Sequence, residues 1–265
     1  MSHSLSDTAE YLVSAQNSDG SWGAGDPLVC ARALYAIMET GGNEEALAAG
    51  LGFLEDSQSR EGFFPSKSKM YSEAANTAYA LIVLNKFDYG KASLPVSRGI
   101  IWLLEHQDED GSWGGNNKHK RAYTTALCLR ALHTFYLSGI ARFEKGLTYL
   151  HERLDKTDFA AEPVSHVYAP ILHLQRIGYL GDALKNRFIE YSLPALTGAI
   201  SDGQVADVAY LLGTLNALGE KEISAIAAEW LETAQNEDGG FGKDLSSGSD
   251  PNWSALVVLS LRNKL

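Results

Sequence analysis

The chain has 265 residues, 45% of them hydrophobic, and a net charge of -11. This acidic balance argues against nucleic acid as a partner, because phosphate binding needs a clustered basic surface. The two cysteines, Cys30 and Cys128, form neither a disulfide framework nor a zinc-binding pattern. No signal peptide and no apolar run of about 18 residues is visible, so we expect a cytoplasmic protein.

Two kinds of helical segment alternate along the chain. Segments that mix charge with apolar stripes are predicted at 5–16, 43–57, 93–107, 139–154, 182–197 and 221–235. More apolar segments are predicted at 27–39, 73–86, 121–137, 165–177, 204–218 and 251–263. A helix that is apolar on most faces is buried, so the alternation predicts an inner ring within an outer ring. We therefore expect an all-α fold, a single α6/α6 barrel of six helical-hairpin repeats in one domain spanning 1–265.

The connections between paired helices repeat one short motif. A glutamine is followed four residues later by glycine and six residues later by an aromatic residue. The copies are Gln16–Gly20–Trp22, Gln107–Gly111–Trp113, Gln235–Gly239–Phe241 and a weaker Gln58–Gly62–Phe64. Each glycine follows an amphipathic segment, which is the position of a helix C-terminal cap.

This motif resembles the QW repeat of squalene–hopene-type terpene cyclases, which also occurs in the β-subunits of protein prenyltransferases. The resemblance implies an α/α toroid and covers nearly the whole chain. It also implies a structural role for the motif. Each glutamine would tie the end of an outer helix to the next inner helix, with the aromatic ring stacked over it.

In that superfamily the functional residues lie where the inner helices begin. Class II cyclases carry Asp-x-Asp-Asp-Thr-Ala there, and the central Asp is the acid. Residues 73–78 read Glu-Ala-Ala-Asn-Thr-Ala, with Ala75 at the acid position, and residues 250–255 place Asn252 there. The zinc-ligand positions of prenyltransferases fall on Gln204, Ala206 and Trp253. We therefore expect no metal site of that kind.

Four residues remain as candidate catalytic acids or bases: Asp207, Asp250, Glu73 and His166. Asp250 precedes Pro251, a pattern typical of a helix N-cap, and the alternative is a carboxylate exposed to the cavity. Asp207 and Glu73 also fit the first helical turn, where the helix dipole favours a carboxylate. An imidazolium, with a pKa of about 6.5, is a weaker acid than a carboxyl group at about 3.9. His166 is thus better suited to act as a base, or is a hydrogen-bonded structural histidine.

A basic run precedes the third inner helix in an otherwise acidic chain, at Lys118, His119, Lys120 and Arg121. Basic side chains beside helix N-termini bind anions, and the resemblance makes a diphosphate the natural ligand. The alternative is a solvated surface loop.

Aromatic and amide side chains on the inner helices are the other candidate substrate contacts. Aromatic faces can shape an isoprenoid chain and stabilise a carbocation. The alternative is that these residues only fill the core. The set is Tyr35, Tyr79, Tyr123, Tyr168, Tyr210, Asn252 and Trp253.

The resemblance and these residues together predict an isoprenoid-metabolism enzyme. It would be a class II-like terpene cyclase that protonates a prenyl substrate from Asp207, Asp250 or Glu73, without the usual acid motif. No cofactor is obligatory, and Mg²⁺ is compatible with a diphosphate substrate. Two alternatives stay open: a degenerate barrel that binds an apolar or anionic ligand, and a natural-product enzyme with His166 as general base. The sequence leaves peripheral membrane contact and oligomeric state open.

Overall fold

The computed structural model describes residues 2–67, 70–115 and 120–265. Each predicted segment is an α-helix, and the predicted ends lie within about four residues of the observed ones. The helices are α1 (Ser2–Ser14), α2 (Pro27–Glu39), α3 (Glu44–Asp56), α4 (Glu73–Lys86), α5 (Leu94–Glu105), α6 (Arg121–Thr134), α7 (Ala141–Asp155), α8 (Val164–Arg176), α9 (Asp182–Ser201), α10 (Val205–Leu218), α11 (Lys221–Thr233) and α12 (Pro251–Leu261).

The even-numbered helices form a closed inner ring. Each packs against the next in chain order, and α12 returns to pack against α2. The odd-numbered helices pack outside this ring: α3, α5, α7 and α11 pack mainly against the inner helix that precedes each of them, α9 against α10, and α1 against α12 and α2. The all-α toroid expected from the alternating pattern is therefore confirmed. None of the described helices is both long and apolar enough to cross a membrane.

Three of the six inner helices start at a residue whose side chain caps the helix. Asp26 accepts a hydrogen bond from the Leu28 amide, Ser72 from Ala75, and Asp250 from Asn252. Such caps satisfy amides that lack partners within the helix. Because the N-terminal ends of all six inner helices meet at one rim of the ring, the caps also define the mouth of the barrel.

The repeated glutamines link outer helices to one another. Gln107 Nε2 donates to the carbonyl oxygen of Gly111 at 2.8 Å and to that of Arg142, in the first turn of α7, at 2.8 Å. The same pattern holds in other repeats, with Gln16 bonded to Gly20 and Ala46, Gln58 to Gly62 and Pro95, and Gln235 to Gly239 and Thr8. The tie to the next inner helix implied by the resemblance is thus wrong. The glutamine reaches the next outer helix instead.

The aromatic residue of the motif strengthens the same joint. Trp113 is fully buried, and its Nε1 donates to the carbonyl of Leu103 at 2.7 Å. Its ring packs against Gly146 in the next outer helix so closely that a methyl group there would lie 2.9 Å from the ring. Trp22 makes the corresponding contact with Gly50 in α3. Turn, glutamine and aromatic ring therefore join successive repeats.

Candidate functional site

A pocket of about 190 Å³ opens at the mouth of the barrel, and we call it the mouth pocket. It brings together five of the sequence-predicted site residues: Lys120, Tyr123, His166, Tyr210 and Trp253. The remaining lining residues, Met70, Tyr71 and Lys243, were not predicted.

The mouth pocket carries two lysines on loops that enter its rim. Lys120 Nζ donates to the carbonyl oxygen of Met70 at 2.6 Å, and burial lowers the pKa of Lys120. Lys243 lies in the loop before α12, and its carbonyl accepts from the Ala206 amide at 2.9 Å. That bond holds the Lys243 loop against the first turn of α10. The pocket thus combines aromatic walls with positive charge.

Asp207 occupies the third position of α10, next to this loop. Residues three apart share a helix face, so Asp207 lies one turn nearer the rim than Tyr210 on the same face. The side chain is half-buried. Burial raises the pKa of Asp207, and the charge of Lys243 acts in the opposite direction. Asp207 does not itself line the mouth pocket, whereas Tyr210 on the same helix face does.

A buried arginine lies beneath the pocket. Arg32 in α2 is 1% exposed, and its Nη1 donates to Asn252 Oδ1 at 2.7 Å. The hydroxyl oxygens of Tyr71 and Tyr210 accept from the same guanidinium at 3.3 and 3.4 Å. Tyr79 presents its ring to the guanidinium carbon at 5.4 Å. Within the described parts of the chain, no carboxylate lies within ion-pair distance of Arg32. A buried charge without a counter-ion is costly.

Further along the axis the barrel is filled by more polar groups. Arg130 Nη1 donates to His173 Nδ1 at 3.2 Å, and the ring centroids of His173 and Tyr123 are 6.3 Å apart. Burial and then the charges of Arg130, Arg176 and Arg32 hold the pKa of His173 well below its usual value. His173 is therefore neutral. Among the described residues, cationic and aromatic side chains fill the barrel centre.

Several predicted charged residues do not join the mouth pocket. Asp250 is an exposed N-cap, which is the alternative interpretation of its Asp-Pro sequence. Glu73 is exposed at the start of α4. Arg121 is held by Asp108 at 3.0 Å and Asp110 at 2.9 Å, in the turn of its own repeat. Two further candidates, Lys118 and His119, lie outside the described residues.

Three predicted tyrosines and the asparagine also lie elsewhere. Tyr168 is fully buried and packs edge-on against Phe188 of α9, with ring centroids 4.7 Å apart. Tyr35 lies at the far end of the barrel, and Tyr79 and Asn252 contact Arg32 below the pocket. Among the described residues, no group of three His, Cys, Asp or Glu side chains is placed to hold a metal ion.

The sequence did contain a signal for Arg32. Arg32 lies in the middle of a helical segment whose other faces are apolar. A helix of that kind is buried, so the arginine has to be buried with polar partners. Arg130 interrupts the third inner helix in the same way. The roles of Tyr71 and Lys243 had no comparable signal, because both lie in loops whose path the periodicity does not predict.

Six helical hairpins closed into a ring form an α/α toroid, and solved structures of terpene cyclases have the same fold. The chain is similar to the type II terpene cyclase MstE from Scytonema, with a TM-score of 0.69 and 15% identity over 98% of this chain and 96% of that chain. An MstE variant in complex with geranylgeranyl dihydroxybenzoate matches with a TM-score of 0.68 and 15% identity, over 99% of this chain and 97% of that chain. A crystal structure of a protein from Actinoplanes gives 0.65 and 15% identity, with 98% of both chains covered.

Sequence comparison gives a shorter match. The chain is 33% identical over 86 residues to the chloroplastic ent-copalyl diphosphate synthase AN1 of Zea mays. That match covers 31% of this chain and 10% of the maize enzyme. No protein-family model matches the chain. The chain therefore has the fold of type II terpene cyclases, at an identity that establishes fold alone.

Proposed function

We propose that this protein is a class II-like terpene cyclase that binds the anionic end of a prenyl substrate in its mouth pocket. Asp207 is the proton donor in this proposal. The carrying observation is the position of Asp207, a half-buried carboxyl with a raised pKa on the face of α10 that also bears Tyr210. A raised pKa keeps more of the carboxyl protonated, which is what an acid catalyst requires.

The mouth pocket supplies the other groups that this reaction needs. Lys120 and Lys243 attract the anionic end of the substrate. The Tyr210 hydroxyl oxygen accepts from Arg32, so its proton is left to donate to the ligand. The rings of Tyr123 and Trp253 line the same pocket and stabilise the positive charge that forms on the prenyl substrate. Because the axis is filled, the prenyl chain lies across the mouth and does not run down the barrel.

The reaction balances without a redox cofactor. The carboxyl proton of Asp207 adds to an alkene carbon, which leaves a carbocation on the substrate and a carboxylate on Asp207. Alkene electrons then close the ring bonds. Loss of a proton from the final carbocation ends the reaction, and His166, which lines the mouth pocket, is the base. Its Nδ1 lies 3.9 Å from Glu162 Oε2.

The similar proteins support a prenyl substrate with an anionic group. One MstE structure contains geranylgeranyl dihydroxybenzoate and another contains merosterolic acid A as product. The maize relative is named for copalyl diphosphate. Both a carboxylate and a diphosphate are negatively charged, and the two lysines of the mouth pocket carry the complementary positive charge.

Replacing Asp207 with asparagine is expected to lower turnover by at least about 100-fold, because a general acid contributes about 10²–10⁴ in rate. Product formation from geranylgeranyl diphosphate and from geranylgeranyl dihydroxybenzoate measures this. Activity of the parent protein should fall as pH rises through the raised pKa of Asp207, since only the protonated form donates.

Asp202→Asn is the matched control, because Asp202 is an exposed carboxylate at the end of α9. It should retain full activity. Equal turnover by the Asp207 and Asp202 variants would remove Asp207 from the mechanism.

Binding without turnover is the second candidate function. It is favoured by the charge of Arg32, which opposes a carbocation forming nearby by about 3 kcal/mol at ~6 Å and an effective dielectric of ~20. The mouth pocket, at about 190 Å³, is also smaller than the roughly 300–1,000 Å³ usual for drug-sized ligands. Native mass spectrometry that finds a retained prenyl ligand, with no product after incubation, would favour this candidate.

A further inference from the structure

The opposite end of the barrel carries a second cavity, of about 250 Å³, where the inner helices end. Four of its lining side chains are cationic, and we call it the basic end cavity: Lys86, Arg130, Arg176 and Lys264. None of these residues lines the mouth pocket. The chain has only 22 Lys and Arg residues against 33 Asp and Glu, so four cations around one cavity run against its composition.

Negative charge near this cavity is sparse. Lys264 pairs with Glu39 at 3.2 Å. Across the described residues, neither Lys86 nor Arg130 has a carboxylate within ion-pair distance. Lys86 Nζ lies 5.8 Å from the centroid of the Tyr35 ring, and the charge of Glu39 acts on it from beyond ion-pair distance. Arg130 donates to neutral His173, which brings no negative charge.

Helix ends explain only part of this arrangement. Cations are favoured at helix C-termini because the carbonyl ends carry partial negative charge. Arg176 uses this effect, since it donates to main-chain oxygens of Asn263 at 2.8 Å and Leu265 at 3.1 Å. The effect acts on each helix end separately, however, and does not require the charges to face one cavity. Burial, and then the charges of Arg130 and Lys264, lower the pKa of Lys86, Glu39 acts in the opposite direction, and Arg176 adds to the lowering. The cations therefore repel one another across the cavity.

We propose that the basic end cavity is a second anion-binding site, which takes a phosphate-type oxyanion. Lysine supplies a point charge and arginine a planar pair of donors, and both are suited to phosphate oxygens. Asn263 also lines the wall, where its Oδ1 accepts from Arg176 Nη2 at 2.6 Å and so holds that guanidinium in place. The anion is either inorganic phosphate or diphosphate, or the diphosphate end of a larger ligand. This site is independent of the reaction proposed at the mouth.

Calorimetric titration with inorganic diphosphate at low ionic strength tests the site, in a Lys120→Met/Lys243→Met background that weakens the mouth pocket. That background should still bind diphosphate. Adding Lys86→Met should weaken binding about tenfold, which is the effect of losing one charge-assisted contact. Lys221→Met, on the exposed start of α11, is the matched control and should leave binding unchanged. Glu39→Gln removes the nearby carboxylate and should tighten binding.

Lys86→Met should fold normally, because it removes a charge that its neighbours repel, and a melting curve checks this. Geranyl diphosphate distinguishes the two sources of the anion. Affinity equal to or weaker than that of inorganic diphosphate indicates a free anion, whereas tighter binding that Lys86→Met weakens indicates a prenyl ligand. Unchanged diphosphate affinity in Lys86→Met, or no binding in the mouth-variant background, overturns the proposal. Product formation by the parent protein reports on the mouth alone, so the two proposals fail separately.

Discussion

Replacing Arg32 with methionine is expected to weaken binding of an anionic prenyl ligand at the mouth by roughly 30-fold. A unit charge about 8 Å from the anion contributes about 2 kcal/mol at an effective dielectric of ~20. Stability should change by less than about 1 kcal/mol. Loss of the bond to Asn252 Oδ1 is offset by removal of a buried charge that has no carboxylate partner in the described part of the chain. Calorimetry and urea denaturation measure the two effects.

Asn252→Asp provides a complementary test of the same charge. The substitution places a carboxylate where Arg32 now donates at 2.7 Å, and so neutralises the guanidinium within the protein. Ligand affinity should fall as it does in Arg32→Met, although the arginine is still present. Arg60→Met, at an exposed loop position, is the control for removal of positive charge in general. Parent-like affinity in both Arg32→Met and Asn252→Asp would show that the buried charge plays no part in binding.

Replacing Gly111 with alanine is expected to lower the free energy of unfolding by about 3 kcal/mol. Gly111 has a φ of +91°, and an added methyl group would lie 2.5 Å from the carbonyl oxygen of Lys145 in α7. The left-handed backbone costs alanine about 1 kcal/mol, and the overlap with main chain adds about 2 kcal/mol. Urea denaturation checks the value.

Gly178→Ala separates these two contributions. Gly178 also has a positive φ, of +77°, but an added methyl group would meet nothing within 4 Å. Its alanine variant should therefore lose only about 1 kcal/mol. If the two variants lose the same amount, the close approach of turn and outer helix does not hold the repeats together.

The fold was predictable because it repeats. The period of the helices and the recurring glutamine, glycine and aromatic residue each predict the same six hairpins. A wrong boundary in one repeat therefore does not change the number or order of the helices. The partner of each glutamine was not predictable in this way. Gln107 contacts main chain of Arg142, and a main-chain acceptor leaves no trace in the sequence.

The site was only partly predictable, because register along a helix decides which side chains meet. Tyr210 is the sixth residue of α10 and reaches the mouth, whereas Tyr35 is the ninth residue of α2 and lies at the other end. Asp250 and Asp207 both stand near a helix start. Asp250 caps its helix from outside and is exposed. Asp207 lies within the first turn of its helix and is half-buried.

Affinity for geranylgeranyl diphosphate compared with geranylgeraniol is the most direct test of a mouth built for an anionic isoprenoid. The two ligands share one chain and differ in charge. We expect the diphosphate to bind at least about 100-fold more tightly at low salt, with the difference shrinking as ionic strength rises and in Arg32→Met. Equal affinity for the alcohol and the diphosphate would contradict the proposal that the mouth pocket binds the anionic end of a prenyl substrate.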